Sequence, residues 1–513
     1  MTVVSNPILP GTYPDPSICR VGDTYWLVTS TFEYFPGLPI FRSTDLVHWE
    51  QVGHVIDRAD QLDYQGFRYS HGLFAPTIRY HNGLFWVVCT HVGAPEGKPG
   101  GNFVVTAKNP AGPWSDPVWL HEDGIDPSLF FDDDGRIWAH GTRLAENPDW
   151  PSQTEVWVRE LDPKTMRLAA ETHIIWKGAV IGAVWAEGPH LYKIDGRYYL
   201  LASEGGTDIH HALSVARADV VTGPYEGNKS NPVLTHRHLG RSAEVTGVGH
   251  ADLAQAPDGS WWAVMLAMRP YGGYHYNLGR ETFLCPVTWE DGWPLFAPGE
   301  GRVPSRIEVP FAEQRGVLGE AQGQANGIVA PTSLRWNTLR GPAAFATPHR
   351  EGWQLALRPE TLTAKATPAF LGVRQQHKNV DVWTQLDPVT LLAGEEAGLV
   401  IRQNERDHVR LYVESDRIVV AHRRADLDAE VASMTLSPGA VVTLGISARG
   451  QDYALLAATG IDEPQQLCII DGRTLDTTVT GGFTGLWFGI YATSNGQPTK
   501  TTITFAPFEY IPR

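Results

Sequence analysis

Residues 22–262 repeat one short pattern five times: a tight-turn signal followed by an apolar, mostly aromatic pair. The copies are GDTYW at 22–26, NGLFW at 82–86, DGRIW at 134–138, DGRYY at 195–199 and DGSWW at 258–262. Their final aromatics, Trp26, Trp86, Trp138, Tyr199 and Trp262, lie 60, 52, 61 and 63 residues apart. Asn-Gly and Asp-Gly suit two-residue hairpin turns, because a type I′ turn needs φ > 0 at both central positions. The first copy lacks that dipeptide order and is expected to turn differently. A strand-like stretch precedes the turns (HLYKI before Asp195) and a strongly apolar one follows (RYYLLAS). A further strand and a turn-rich closure complete several units, as in STDLVHWEQVG at 43–53, NPAGPWSDPVWL at 109–120 and TGPYEG at 222–227. Long helical periodicity is absent. Five units of about 60 residues, each a small antiparallel sheet, predict a five-bladed β-propeller over residues 1–300. An irregular all-β sandwich would not require five matched hairpins. Composition agrees: 52 Gly and 37 Pro serve many turns, and 18 Trp, 17 Tyr and 18 Phe favour strands and sugar-binding surfaces.

Residues 301–330 break the repeat and read as a linker. Over 331–513 the pattern changes to alternating strands without a repeat: VDVWTQL, AGLVIRQ, HVRLYVE, RIVVAHR and TGLWFGIYA. Alternation at strand length predicts a C-terminal β-sandwich or jelly roll. The fold class is therefore all-β, in two domains.

Charge and cysteine content exclude several function classes. With 41 Lys plus Arg against 57 Asp plus Glu, the net charge is −16, and no basic block is present. Nucleic acid and anionic membrane are poor partners for such a chain. Cys19, Cys89, Cys285 and Cys468 are far apart and show no zinc spacing, so they read as reduced thiols. The N-terminus MTVVSNPILPG has no basic stretch followed by an apolar run, and nothing approaches the roughly 20 apolar residues of a membrane span. The chain reads as soluble and cytoplasmic.

The repeat also predicts a site. In a propeller the first strand of each blade runs beside the central axis, so equivalent positions face one another. Counting back twelve residues from the last aromatic gives Phe74, Asp126, Glu187 and His250; eleven in the first, slightly different copy gives Asp15. Three of these five are acids. A structural repeat has no need of acids at its most enclosed position, because burying charges close together is costly. The settings YPDPS, IDPS and AEGP set a proline at or near each acid, which restricts the backbone. One Asp-Pro is ordinarily a turn or a cap; three acids at one phase point further. They fit acid/base chemistry, or a cation such as calcium held together with His250. Three acids around a pocket suggest glycoside hydrolysis: a protonated acid assists the leaving oxygen, and an ionised one activates water or attacks directly. Like-charge proximity from the third would keep the acid protonated.

At these residues the chain resembles glycoside hydrolase family 43, the β-xylosidase and α-L-arabinofuranosidase family. NPILPGTYPDPSICRVGDTYWLVTSTFEYFPGLPIFRSTDLVHW at 6–49 looks like its opening blade. GIDPSLFFDDDGRIW, WAEGPHLYKIDGRYYL, GHADLAQAPDGSWW and LGRETFLCPVTWEDGWPLF continue the match in order. Residues 331–513 look like the concanavalin-like β-sandwich of the two-domain xylosidase branch, which packs on the propeller and helps close the pocket. The resemblance implies an inverting enzyme with Asp15 as general base, Glu187 as general acid, and Asp126 tuning and orienting the acid. It implies Arg280 (LGRET) as a sugar ligand and Phe32 (STFEYFPG) as an aromatic wall. Phe74 (GLFAP) stands where some relatives carry tryptophan, which bears on the choice between xylose and arabinose. His250 (GHAD) matches a histidine that in some relatives joins an axial calcium or other cation; a satisfied buried histidine is the competing reading. His210 and His211 read as loop residues without metal spacing.

The expected substrates are xylo-oligosaccharides cut from their non-reducing ends, with α-L-arabinofuranosides as the alternative. No cofactor is required for the chemistry, and a homo-oligomer of two or four copies fits the resemblance. Two other classes compete: a non-catalytic sugar-binding propeller, and a retaining invertase-type enzyme, whose Asn-Asp-Pro-Asn opening is replaced here by YPDPS.

Overall fold

The computed structural model describes residues 2–312, 327–437 and 439–513. Its first part is five antiparallel sheets whose leading strands are Ser17–Val21, Thr77–His81, Ile125–Phe131, Glu187–Ile194 and Thr246–Gln255. Each leading strand touches the next, and the fifth touches the first, which closes a five-bladed ring. Every repeated pattern lies at the hairpin between the first and second strands of a blade.

The turn chemistry divides three ways. Asn82-Gly83 and Asp195-Gly196 both carry positive φ throughout, as a type I′ turn requires. In the first copy only Gly22 of the two loop residues does so, the pattern of a type II′ turn. The third and fifth copies do not form two-residue turns. Phe131 pairs with Ile137 and Gln255 with Trp261, leaving five-residue loops with only Gly135 and Gly259 at positive φ.

The ends of the ring are stapled together. Thr2–Ser5 pairs antiparallel with Arg306–Val309, and Leu9 bridges Thr282 of the fifth blade. Part of the stretch expected to be a linker is thus a strand. Residues 313–326 of that predicted linker lie outside the described residues. Tyr25, Leu27 and Phe41 of the first blade pack with Trp262, Val264 and Leu284 of the fifth in one buried cluster. Along the axis, Arg79 donates to both oxygens of Asp252 (2.8 and 3.2 Å), which also accepts from Ser17 Oγ and Tyr192 Oη. Side chains from leading strands thus satisfy one another in this buried network.

The remainder is a sandwich of an eight-stranded and a six-stranded sheet. Val380, Val382, Leu444 and Ile446 from one sheet meet Leu399, Ile401, Val409 and Leu411 from the other in a single core. The alternation in the sequence supplies these inward faces.

The two parts share structure. Thr338–Leu339 pairs with Tyr34–Phe35 of the first blade. Glu33 and Arg402 are both fully buried at this seam and pair at 3.4 Å, while Arg402 Nη1 donates to Tyr34 Oη at 2.6 Å. Arg340 pairs with Glu405, whose other oxygen accepts from the Tyr69 amide; Glu33 likewise accepts from the Ser70 amide. Burial pushes the Glu33 carboxyl up even with two guanidinium groups beside it. Removing one partner of such a pair strands a charge. Arg402→Ala is expected to cost about 3–5 kcal/mol, read as a lower midpoint in denaturant unfolding, and the double variant with Glu33→Ala is expected to lose less than the sum of the two single changes.

Candidate active site

The acids at the repeat phase are placed by irregular backbone. An ordinary strand would alternate its side chains across the sheet. Register shifts fall between Ile125 and Ser128, between Glu187 and His190, and between Gly249 and Asp252, around the predicted axial positions. Asp15, Asp126 and His250 have φ of 56°, 54° and 50°, a conformation disfavoured for residues with a Cβ. In the fourth blade the positive φ falls on Gly188 instead, at 56°. A Cβ there would also lie 2.9 Å from His250 Cε1, so glycine is required for the histidine ring to lie against the backbone next to Glu187. Such bulges re-aim a side chain.

The resulting contacts are specific. Arg280 Nη1 donates to Asp15 Oδ1 at 2.8 Å, and Ser30 Oγ donates to the other oxygen. Asp126 Oδ2 accepts from the Gly188 amide at 3.0 Å, which ties it to the backbone beside Glu187. His250 Nδ1 lies 3.9 Å from Asp15 Oδ1, and its amide donates to Ser203 Oγ. The Glu187 side chain retains 13 % exposure against 6 % for Asp15, so it is the more accessible of these two acids.

The electrostatics separate the acids by role. Burial, then the charges of Asp126 and Asp15, push the Glu187 carboxyl well above the usual carboxylate range. Burial and the charge of Asp15 raise Asp126 to about 6, opposed by His250, the Gly188 N–H and Arg280. Asp15 faces a guanidinium and a hydroxyl, donors that suit a carboxylate. The site therefore pairs one acid, Asp15, with a guanidinium and leaves another, Glu187, raised by burial and its acidic neighbours.

A cavity of about 810 Å³ is joined to these acids through Arg280, which lines it and pairs with Asp15. The propeller lines it with Trp185, Thr207, Arg241, Tyr274 and Arg280, and the sandwich adds Thr477 and Phe483. Arg280 joins cavity and acids, while its neighbour Glu281 is held by Arg269 at 2.7 and 2.8 Å. Phe32 is buried and packs edge-on to Phe74 (5.6 Å) and face-on to Phe483 (6.0 Å), with the Arg280 guanidinium 5.6 Å from its ring centre. Phe74 also meets Phe483 edge-on at 5.9 Å.

The repeat did not reveal Phe483 or Trp185. Phe483 lies outside the propeller, and Trp185 is two residues from Glu187 but off the axial phase. His210 is exposed, as expected of a loop, but His211 is fully buried beside Glu187. Among the described residues no group of three or more His, Cys, Asp or Glu side chains is arranged to hold a metal.

A five-bladed propeller whose leading strands gather Asp15, Asp126 and Glu187 is suited to glycoside hydrolysis. Residues 4–294 match the family described as Glycosyl hydrolases family 43, and residues 330–511 match the Beta xylosidase C-terminal Concanavalin A-like domain. The chain belongs to glycoside hydrolase family 43. It is 41% identical over its whole length to a xylosidase/arabinosidase of Butyrivibrio fibrisolvens, covering 99% of that protein. It is 38% identical over 98% of its length to a non-reducing end alpha-L-arabinofuranosidase of Bacteroides ovatus, covering 94% of it. The crystal structure of xylan beta-1,4-xylosidase from Bacillus halodurans superposes with a TM-score of 0.91 at 33% identity, covering 99% of this chain and 100% of that one.

Proposed function

We propose that the enzyme releases single xylose units from the non-reducing ends of β-1,4-xylo-oligosaccharides, with inversion at the anomeric carbon. The observation that carries this reading is the raised Glu187 carboxyl, on which Asp126 and Asp15 act, with Asp15 paired to Arg280 in the lining of a cavity to which Phe483 of the sandwich adds a wall. In this reading Glu187 gives its proton to the glycosidic oxygen as the bond breaks. Asp15 removes a proton from the water that attacks the opposite face of the sugar. Asp126 adds negative charge near Glu187 and fixes the backbone at Gly188. Arg280 and the Phe32–Phe74–Phe483 cluster define the sugar subsite. Walls supplied by both domains suit a chain end better than a chain interior.

α-L-Arabinofuranoside hydrolysis in the same pocket is the second reading, favoured by the full-length similarity to a xylosidase/arabinosidase. Parallel assays on aryl β-xyloside, aryl α-L-arabinofuranoside and xylobiose test both. We expect xylobiose cleavage with α-xylose as the first anomer seen by NMR. β-Xylose appearing first would exclude inversion, and no turnover of any of the three would favour a binding propeller.

A further inference from the structure

His211 is spent by neither the fold nor the proposed chemistry. Its side chain is fully buried, and its Nδ1 lies 3.1 Å from the Gly247 carbonyl. A carbonyl only accepts, so Nδ1 carries the hydrogen and Nε2 presents a lone pair. That Nε2 has no hydrogen-bond partner among the described residues and lies 3.9 Å from Glu187 Oε1. The ring packs against the Gly249 backbone: a Cβ there would lie 2.3 Å from its Cε1. Burial holds the ring neutral, pushing it down to about 3. No hydrogen bond from a described residue reaches the Glu187 carboxyl. The other ionisable groups acting on it are Asp126, Asp15 and Arg280; His250 faces Asp126 and His211.

A lone pair aimed at a carboxyl discriminates between its two forms. It repels the carboxylate and can accept from the O–H of the acid. At 3.9 Å the bond is not yet made, but a small rotation of the Glu187 carboxyl closes it, and such contacts are often long in the free enzyme.

We propose that His211 is a positioning residue for the acid: its unprotonated Nε2 receives the Glu187 carboxyl hydrogen in the free enzyme and disfavours the carboxylate. The hydrogen turns to the glycosidic oxygen when substrate fills the cavity. This rests on Glu187 being the general acid.

The test uses two variants. His211→Asn keeps a donor for the Gly247 carbonyl and lacks the acceptor at Nε2; His211→Gln can supply an acceptor there. kcat/KM against pH reports the free enzyme. For xylobiose, the alkaline limb of His211→Asn is expected to move down by about one pH unit, costing about tenfold in rate above that limb. An aryl β-xyloside with a good leaving group is expected to lose less, and His211→Gln to keep the wild-type limb. A wild-type limb in the Asn variant, equal losses on both substrates, or a Gln variant displaced as far as Asn would each overturn the proposal. If the Asn variant does not fold, His211→Leu, which also lacks the acceptor, takes its place: a limb displaced downward that His211→Gln restores supports the proposal, and an unmoved limb refutes it. Glu187→Ala, assayed alongside, separates the two ideas. If it loses equally on both substrates, the acid assignment itself has failed, whatever His211 does.

Discussion

Glu187→Ala is expected to slow xylobiose hydrolysis by about 10³-fold while an aryl β-xyloside with a good leaving group loses far less. A sugar alkoxide needs a proton as it departs; an activated phenolate does not. The buried setting of Glu187, between Asp126 and Asp15, keeps that proton on the carboxyl above the usual carboxylate range. Activity requires the protonated form, so in the wild type it falls as pH rises through the raised value. This alkaline limb is expected to disappear for the activated substrate in the variant. Steady-state rates on both substrates across pH check the result, and equal losses would remove Glu187 from the role.

Asp15→Asn is expected to lower turnover of both substrates alike, again by about 10³-fold. The attacking water must give up a proton whichever group leaves. Asparagine keeps one oxygen to accept from Arg280 Nη1, and its amide NH2 can donate to Ser30 Oγ, so the pocket is expected to keep its shape. It cannot take the proton. A thermal melt near that of the wild type, with an unchanged KM, would confine the effect to chemistry. A loss seen only with xylobiose would place Asp15 with the leaving group instead of the water.

Much of this was legible because a propeller is a local repeat. Each hairpin forms from residues a few positions apart, and the count from hairpin to axis is the same in blades two to five. Asp126, Glu187 and His250 follow from that count. The turn types were read less well: DGRIW and DGSWW share the Asp-Gly dipeptide with DGRYY, yet five-residue loops replace the two-residue turn. The ion pair of Arg280 was not legible at all. Its sequence neighbour Glu281 is taken by Arg269, and its partner Asp15 is 265 residues away. His211 looked like a loop residue because it closes the turn after Asp208, just before the strand Ala212–Ala218; its ring packs on the Gly249 backbone and meets the Gly247 carbonyl, contacts far from it in sequence.

The sequence alone determined the number of blades, the sandwich that follows, and the acids that share the axis, since periodic patterns record contacts within and between repeats. Tertiary structure decided that burial and two acidic neighbours raise the Glu187 carboxyl and that Asp15 pairs with Arg280. It also decided that Phe483 supplies a wall of the pocket and that Glu33 meets Arg402 at the domain seam. These depend on burial and on distances between residues hundreds of positions apart, and no local period encodes them.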